Sequence, residues 1–471
     1  MSILDIWFRS RDRPKILLAI LFTLWKLFLL CIALLSPGPG YDTSTKLLHP
    51  KPSLPGTIAE SGWGLSARLR NLVRWDAIYF IEIARRGYSW EQEWAFAWGF
   101  TKFMALASKG LTLIGLSDPD GNEVVAGILV SHAFHLLSVL MLHELTLFVC
   151  STLSASKCSK IALLAASLHV ISPAGMFLSA PYAESCFSFL NFTGFYVYAK
   201  TLGTHHKDQV VCRDVFILFS GLIFGLATTF RGNGLFSGLV FIYDAIDCMA
   251  RILQSAEIRQ NIRRLFVVCV SGILMALITV LPQYMAYNVY CSSSSADTLV
   301  RPWCSDWIPS IYAWVQREYW CVGFLQYWTL SNLPLFVLAA PMLYILLHSG
   351  LWAFDRGASA KTRPSQYNKK GATEPLPPKS GLVIDNAIVR RIAVPQVVLA
   401  ALALTTYHVQ IITRLSSGYP VWYWWLASLI AENRETSIWG RKFHSASIIT
   451  RWMVLYAIVQ GGLFASFLPP A

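Results

Sequence analysis

Long apolar runs, uninterrupted by the polar–apolar alternation of a strand, dominate this chain. They fall at 16–36, 124–150, 160–178, 184–200, 214–230, 234–250, 265–287, 331–353, 392–413, 416–431 and 448–468. Most approach the roughly 20 residues that a helix needs to cross a bilayer. A segment in lipid must satisfy its backbone internally, and continuous apolar runs do so as helices. The pattern therefore predicts an all-α polytopic membrane protein with about eleven transmembrane helices. A further stretch, 95–116, is interrupted by Lys102 and Lys109 and reads as an interfacial or re-entrant helix.

Charge decides which ends of the runs share a side. Basic residues gather in 151–160 (Lys157, Lys160), 200–214 (Lys200, Lys207, Arg213), 251–264 (four arginines against Glu257), 355–391 (eight Lys/Arg against three acids) and 432–446 (Arg434, Arg441, Lys442). The positive-inside bias puts all five, with residues 1–15, in the cytosol. An even number of crossings must then separate residue 15 from 151–160. Runs 16–36 and 124–150 supply both, so 95–116 should not cross. The far side receives loops 37–123 and 288–330 and the turns near 179–184, Arg231 and 414–420. Loop 37–123, rich in Trp and Arg, reads as amphipathic helices on the membrane surface. Segment 355–391, rich in Pro, Lys, Gly and Ser, reads as a disordered basic cytosolic linker between a core at 16–354 and C-terminal helices at 392–471.

Composition agrees: of 471 residues, 55% are hydrophobic and 14% charged, against about 25% charged in soluble domains. The net charge of +13 resides in the loops, and no basic helix or aromatic platform outside the spans suits nucleic acid. Several of the ten cysteines lie inside apolar runs, and no CxxC pair has zinc spacing. Cys291 and Cys304 share loop 288–330; a disulfide and free thiols both remain open. His132 and His135 lack a third ligand at matching spacing, so no metal site is expected.

Polar residues at the far ends of the runs are the candidates for chemistry. Asp76, after Arg74 and Trp75, sits in apolar surroundings. It reads either as a general base at a cavity mouth or as a surface ion pair. Glu184 opens an apolar run, as a cavity-facing acid or as a helix-start carboxylate. Arg231, among small residues before a helix, suits a phosphate or simply snorkels from a tight turn. His408, Gln410 and Arg414 end another run, and hold either a lipid phosphate and sugar hydroxyls or the bundle itself. The Trp- and Tyr-dense stretch 301–328 stacks on sugars or forms an interfacial belt.

The blocks RWDAIYFIEIARRGY, SPAGMFLSAPYAESCF, FRGNGLF, PWCSDWIPSIYAWVQREYWCVGFLQYW and HVQIITRLSSGYPVWYWW resemble, in order and spacing, those of the GPI mannosyltransferase 2 (PIG-V-like) family. Gly232, where the family commonly has Ser, and Ser331-Asn332-Leu333-Pro334 depart from its pattern. The resemblance implies a GT-C glycosyltransferase fold in the endoplasmic reticulum membrane with a lumenal active site. It implies dolichyl-phosphate-mannose as donor and a mannosylated glucosaminyl-phosphatidylinositol, the glycosylphosphatidylinositol (GPI) precursor, as acceptor, joined α-1,6 with inversion. No further cofactor is expected, and a small accessory membrane subunit is a candidate partner. Trp75 and Asp76 carry over as the catalytic pair, with Arg74, Glu184, Arg231, His408, Gln410 and Arg414 around the substrates. One alternative, a lipid or sugar-lipid transporter, lacks the inverted repeat and matched broken helices it should carry; the other, a different dolichol-dependent glycosyltransferase, differs only in its acceptor.

The charge pattern predicts that an engineered glycosylation site near residue 55 is used and one within 365–380 is not. Glycan-dependent gel shifts check this, and the reverse result overturns the orientation.

Overall fold

The computed structural model describes residues 13–37, 68–116, 122–203, 210–292, 301–361, 386–433, 436–438, 441–443 and 445–468. Over these residues the regular secondary structure is helical except for one small hairpin. The helices are α1 (Arg13–Leu35), α2 (Asp76–Arg86), α3 (Trp98–Leu113), α4 (Asn122–Val149), α5 (Ala155–Val170), α6 (Glu184–Gly203) and α7 (Val210–Phe230). They continue as α8 (Leu239–Leu253), α9 (Ile258–Tyr290), α10 (Ile311–Glu318), α11 (Leu333–Lys361), α12 (Asn386–Thr405), α13 (Val421–Glu432) and α14 (Ser445–Ala465). The hairpin pairs β1 (Thr436–Ile438) antiparallel with β2 (Arg441–Phe443), inside a stretch expected to be a plain basic loop.

Among the described residues, α1, α4, α7, α9, α11, α12 and α14 are long and apolar enough to cross a membrane. The other four expected crossings coincide with α5, α6, α8 and α13. The 20 residues of α6 suffice in length but include Glu184, Asn191 and Lys200. Helices α5, α8 and α13, with 16, 15 and 12 residues, extend about 24, 22 and 18 Å at 1.5 Å per residue. A bilayer core is about 30 Å thick. Seven crossings are thus supported by length and composition, while the expected total of eleven is not established.

The short helices share a cause. Expected run 160–178 breaks after α5 and resumes as a 3-10 turn at Gly175–Leu178. Run 234–250 opens with a 3-10 turn at Gly232–Gly238 before α8. Run 392–413 stops at Thr405, and the chain reaches α13 through 3-10 turns at Val409–Ile411 and Ser416–Gly418 around one helical turn, Ile412–Leu415. Irregular backbone of this kind is tolerated in a membrane bundle only where protein buries it or where it lines a cavity. The second and third breaks line a common cavity with Asp76 of α2, and the first leads into Tyr182, whose ring packs on Phe80 of α2.

Ion pairs mark the opposite end. Lys15 of α1 meets Glu144 of α4 at 2.9 Å, fixing these helices antiparallel as the charge pattern requires. Asp244 of α8, 1% exposed, accepts from Arg264 of α9 at 2.6 Å and from Arg391 of α12 at 3.0 Å. Arg391 also donates to Asp247 at 3.0 Å. This corrects the expected linker. Helix α11 runs on to Lys361 and α12 begins at Asn386, so 355–361 and 386–391 are helical. Arg391 reads as a loop residue because it is charged, but two aspartates neutralise it inside the bundle. The remainder of the linker, 362–385, lies outside the described residues.

Helix α3 occupies 98–113 and packs on α2, α4 and α7 with Lys102 and Lys109 exposed. Close approach needs small residues: at Gly221 of α7 a Cβ would lie 2.7 Å from the Ser271 carbonyl of α9. The apolar–aromatic run Val421–Ala427 is entirely buried, and its polar tips are satisfied. Trp422 Nε1 donates to Ser416 O at 3.0 Å, and Trp424 Nε1 donates to Thr146 Oγ1 at 2.8 Å.

Removing the central acid of the ion-pair cluster leaves two buried guanidinium groups short of a partner, a loss of about 3–5 kcal/mol. Asp244→Ala should therefore lower the unfolding midpoint in detergent strongly. Asp214→Ala should shift it little, because its pair with the half-exposed Arg263 is worth about 0–1 kcal/mol. Thermal unfolding of the two variants checks the contrast.

Candidate active site

Asp76 is placed by a strained turn. A 3-10 turn at Arg70–Leu72 leads to Trp75, which has φ 56°, a left-handed value uncommon outside glycine. The turn makes Asp76 the first residue of α2, where free N–H groups and the helix dipole favour a carboxylate.

The three neighbours expected to act together separate. Arg74 points into the scaffold: Nη2 donates to Asn71 Oδ1 at 2.7 Å, Nε to Ala465 O at 3.2 Å, and the guanidinium lies over Phe467. The Trp75 ring packs edge-on against Phe467 at 4.7 Å, away from the cavity. Both expected roles are therefore corrected: Arg74 and Trp75 tie α2 to the end of α14, because the turn at Trp75 sends Asp76 one way and its two predecessors the other.

Asp76 instead faces residues distant in sequence. Arg414 Nη1 donates to Asp76 Oδ2 at 2.9 Å. Arg414 Nε lies 3.6 Å from Glu184 Oε1, which accepts from Arg231 Nη1 at 2.7 Å. The result is a chain of alternating charge, Asp76–Arg414–Glu184–Arg231, with no net charge. Glu184 is 1% exposed and opens α6. The rings of Phe177 and Tyr182 lie against the Arg414 guanidinium at 5.1 and 5.8 Å. Asp76 Oδ1 takes no hydrogen bond among the described residues.

Asp76, Arg231 and Arg414 line a cavity of about 500 Å³, within the usual range for ligand sites. Its walls come from 94–98, from 228–236, from α9 at Thr279, Pro282 and Gln283, from Ser310, Tyr312 and Gln316, and from Trp320. His408 completes it. His408 Nε2 donates to Trp320 O at 2.8 Å, and its ring stacks on Tyr327 at 4.7 Å.

The match to known proteins runs the length of the chain. The family model described as mannosyltransferase (PIG-V) covers residues 14–471. The chain belongs to the PIG-V mannosyltransferase family. The GPI mannosyltransferase 2 of Aspergillus oryzae is 40% identical over 469 residues, covering 98% of this chain and 96% of that protein. That of Chaetomium globosum is 42% identical over 474 residues, covering 96% and 95%. Among solved structures, an Archaeoglobus fulgidus oligosaccharyltransferase aligns with a TM-score of 0.47 at 10% identity, over 95% of this chain and 56% of that one. A likeness at that score supports nothing further.

Within this PIG-V chain, the spacing of the C-terminal site residues has a geometric reason. Tyr407, His408, Ile411, Arg414 and Leu415 face the cavity, the i, i+3, i+4 and i+7 spacing of one helical face. Gln410, one position off, does not. It lines a separate gap of about 10 Å³ with Thr413 and Tyr456, which corrects its expected substrate contact. The aromatic stretch 301–328 divides in the same way. Trp303 is wholly buried, Trp320 and Tyr312 line the cavity, and Trp307 is exposed. Cys291 and Cys304 form a disulfide that joins the end of α9 to the segment leading into α10.

Two cavity residues escaped sequence reasoning although a signal existed. Gln283 is a polar residue inside the long apolar α9, beside Pro282. Its Oε1 accepts from Ser310 Oγ at 3.2 Å and from the Tyr312 N–H at 3.1 Å. Asn233, in the turn after Arg231, donates through Nδ2 to Tyr419 OH at 3.2 Å, and that hydroxyl donates to Asn233 O at 3.0 Å.

The cavity wall at 94–98 depends on Glu93. This buried carboxylate pairs with Arg86 and accepts from the N–H groups of Ser89 at 2.7 Å and Trp90 at 3.1 Å. Burial works against its charge, but Arg86 and the two N–H groups prevail and hold the carboxyl below its usual range. A lowered folded-state pKa contributes stability above the unfolded value of about 4.3, lost as pH falls through the folded value. The unfolding midpoint should therefore fall on acidification below about pH 4. In Glu93→Gln that part of the fall should be missing and the midpoint at neutral pH lower, as thermal unfolding across pH would record.

Proposed function

We propose that this chain transfers the second mannose of the GPI anchor, from dolichyl-phosphate-mannose to the mannosyl-glucosaminyl-phosphatidylinositol acceptor, forming an α-1,6 bond at the lumenal face of the endoplasmic reticulum. Membership of the PIG-V family and near-full-length likeness to fungal GPI mannosyltransferases 2 support the reaction class. A GT-C arrangement is the fold this family implies.

The observation that carries the mechanism is the asymmetry of Asp76. Oδ2 is held by Arg414, which orients the carboxylate, while Oδ1 is left for an acceptor hydroxyl. Asp76 takes the proton of that hydroxyl as its oxygen attacks the donor's anomeric carbon. The bond from that carbon to the phosphate oxygen breaks on the opposite face. Attack opposite the leaving group converts a β-linked donor into an α-linked product. Dolichyl phosphate departs as an anion, so it needs positive charge more than a proton. Arg231 and Arg414 supply that charge from the cavity wall, and Glu184 keeps both aimed. His408, fixed on the Trp320 carbonyl, is placed to hydrogen-bond a sugar hydroxyl or the phosphate.

Purified protein given dolichyl-phosphate-mannose and the one-mannose acceptor should extend the acceptor. Asp76→Asn should lose about 10²–10⁴-fold in turnover at unchanged expression. Near wild-type turnover in that variant rules Asp76 out as the base.

A further inference from the structure

Lys26 sits in the middle of α1 and is only 5% exposed. From Ile16 to Leu35 it is the sole ionisable residue apart from Cys31. A cation in such a helix is costly unless specific partners hold it. Its ammonium Nζ donates to Leu178 O at 2.7 Å and to Ser179 Oγ at 2.8 Å. Leu178 ends the 3-10 turn Gly175–Leu178, so the cation lies on the carbonyl at the turn's C-terminus. The same Leu178 carbonyl accepts from Ser185 Oγ at 3.2 Å. Ser185 follows Glu184, and Ser188 Oγ donates to Glu184 O at 2.8 Å. The whole of 179–188 is buried. One side of Glu184 therefore faces Arg231 and Arg414, and the chain on its other side is pinned by Lys26.

We infer that Lys26 is a positioning residue for the charged chain at the cavity. It touches neither the cavity nor the four charges. Through the Leu178 carbonyl and Ser185 it fixes where α6 begins, and thereby where the Glu184 carboxylate holds the Arg414 guanidinium against Asp76. A buried cation that only packed α1 against the bundle would need no link to the first residues of α6. The turnover arm of the test rests on the mannosyl-transfer reading; the unfolding arm does not.

The experiment compares full-length wild type, Lys26→Met, Lys26→Arg, Ser179→Ala, Glu184→Gln and the double variant Lys26→Met/Glu184→Gln in detergent. Displacing a catalytic arrangement by about 1 Å can cost about 10²-fold. Lys26→Met should lower kcat by about ten- to a hundredfold, with the acceptor KM within about threefold of wild type. Lys26→Arg should recover most of that loss. Ser179→Ala, which removes one acceptor and leaves the ammonium in place, should lose about two- to tenfold. In thermal unfolding, coupled residues are not additive, so Lys26→Met should lower the midpoint less when Glu184 is already Gln. Wild-type kcat in Lys26→Met, or midpoint shifts of Lys26→Met and Glu184→Gln that simply add, overturns the inference. If wild type transfers no mannose, the mannosyl-transfer reading fails, and the unfolding cycle still decides the role of Lys26.

Discussion

A guanidinium inside a membrane bundle needs a carboxylate beside it, because an uncompensated charge there costs several kcal/mol. Most of the unusual backbone in this protein follows from that requirement. Arg414 and Arg231 come from different turns, Asp76 and Glu184 from the starts of different helices, and Asp76 and Arg414 lie 338 residues apart. Bringing the four into one row requires four things together. The chain bends at Trp75, α5 stops short of the site, Gly232–Gly238 winds as a 3-10 turn, and α12 breaks after Thr405. Straight helices through the same runs would carry these charges into separate surroundings.

The row is also asymmetric in a way that suits group transfer. The two inner members, Arg414 and Glu184, each face two other members of the row. The outer two present unused valence to the cavity: Asp76 through Oδ1, and Arg231 from the wall some distance along the row. An acid–base group at one end and a phosphate-binding cation at the other are what an attacking hydroxyl and an anionic leaving group require. The ion-pair cluster at the opposite end, centred on Asp244, obeys the same pairing rule. It serves to join α8, α9 and α12.

Much of this was legible in the sequence, and the failures share a physical origin. Apolar runs and basic loops gave the helix positions and the antiparallel pairing of α1 with α4, because these depend on local composition. Asp76, Glu184, Arg231 and Arg414 stood out because ionisable residues at the ends of apolar runs are rare, and the structure gathers all four. What could not be read was which way each side chain points. Arg74 and Trp75 immediately precede Asp76 in sequence, yet the left-handed φ of Trp75 turns them to the scaffold. Gln410 fell outside the cavity because it lies on the other face of the turns after α12, against Thr413 and Tyr456. Arg391 looked like a linker charge because its partners, Asp244 and Asp247, lie more than a hundred residues away. Each error assumed regular helix or solvated loop where a distant partner had imposed something else.

The central claim is that the alternating row is the catalytic centre, with the acceptor at Asp76 and the donor phosphate beside Arg414 and Arg231. A structure of the protein with an unreactive dolichyl-phosphate-mannose analogue and the one-mannose acceptor measures this most directly. The account predicts the acceptor hydroxyl within about 3 Å of Asp76 Oδ1, with the donor phosphate on the guanidinium groups of Arg231 and Arg414. A phosphate bound elsewhere in the bundle, or an acceptor hydroxyl out of reach of Asp76, contradicts it.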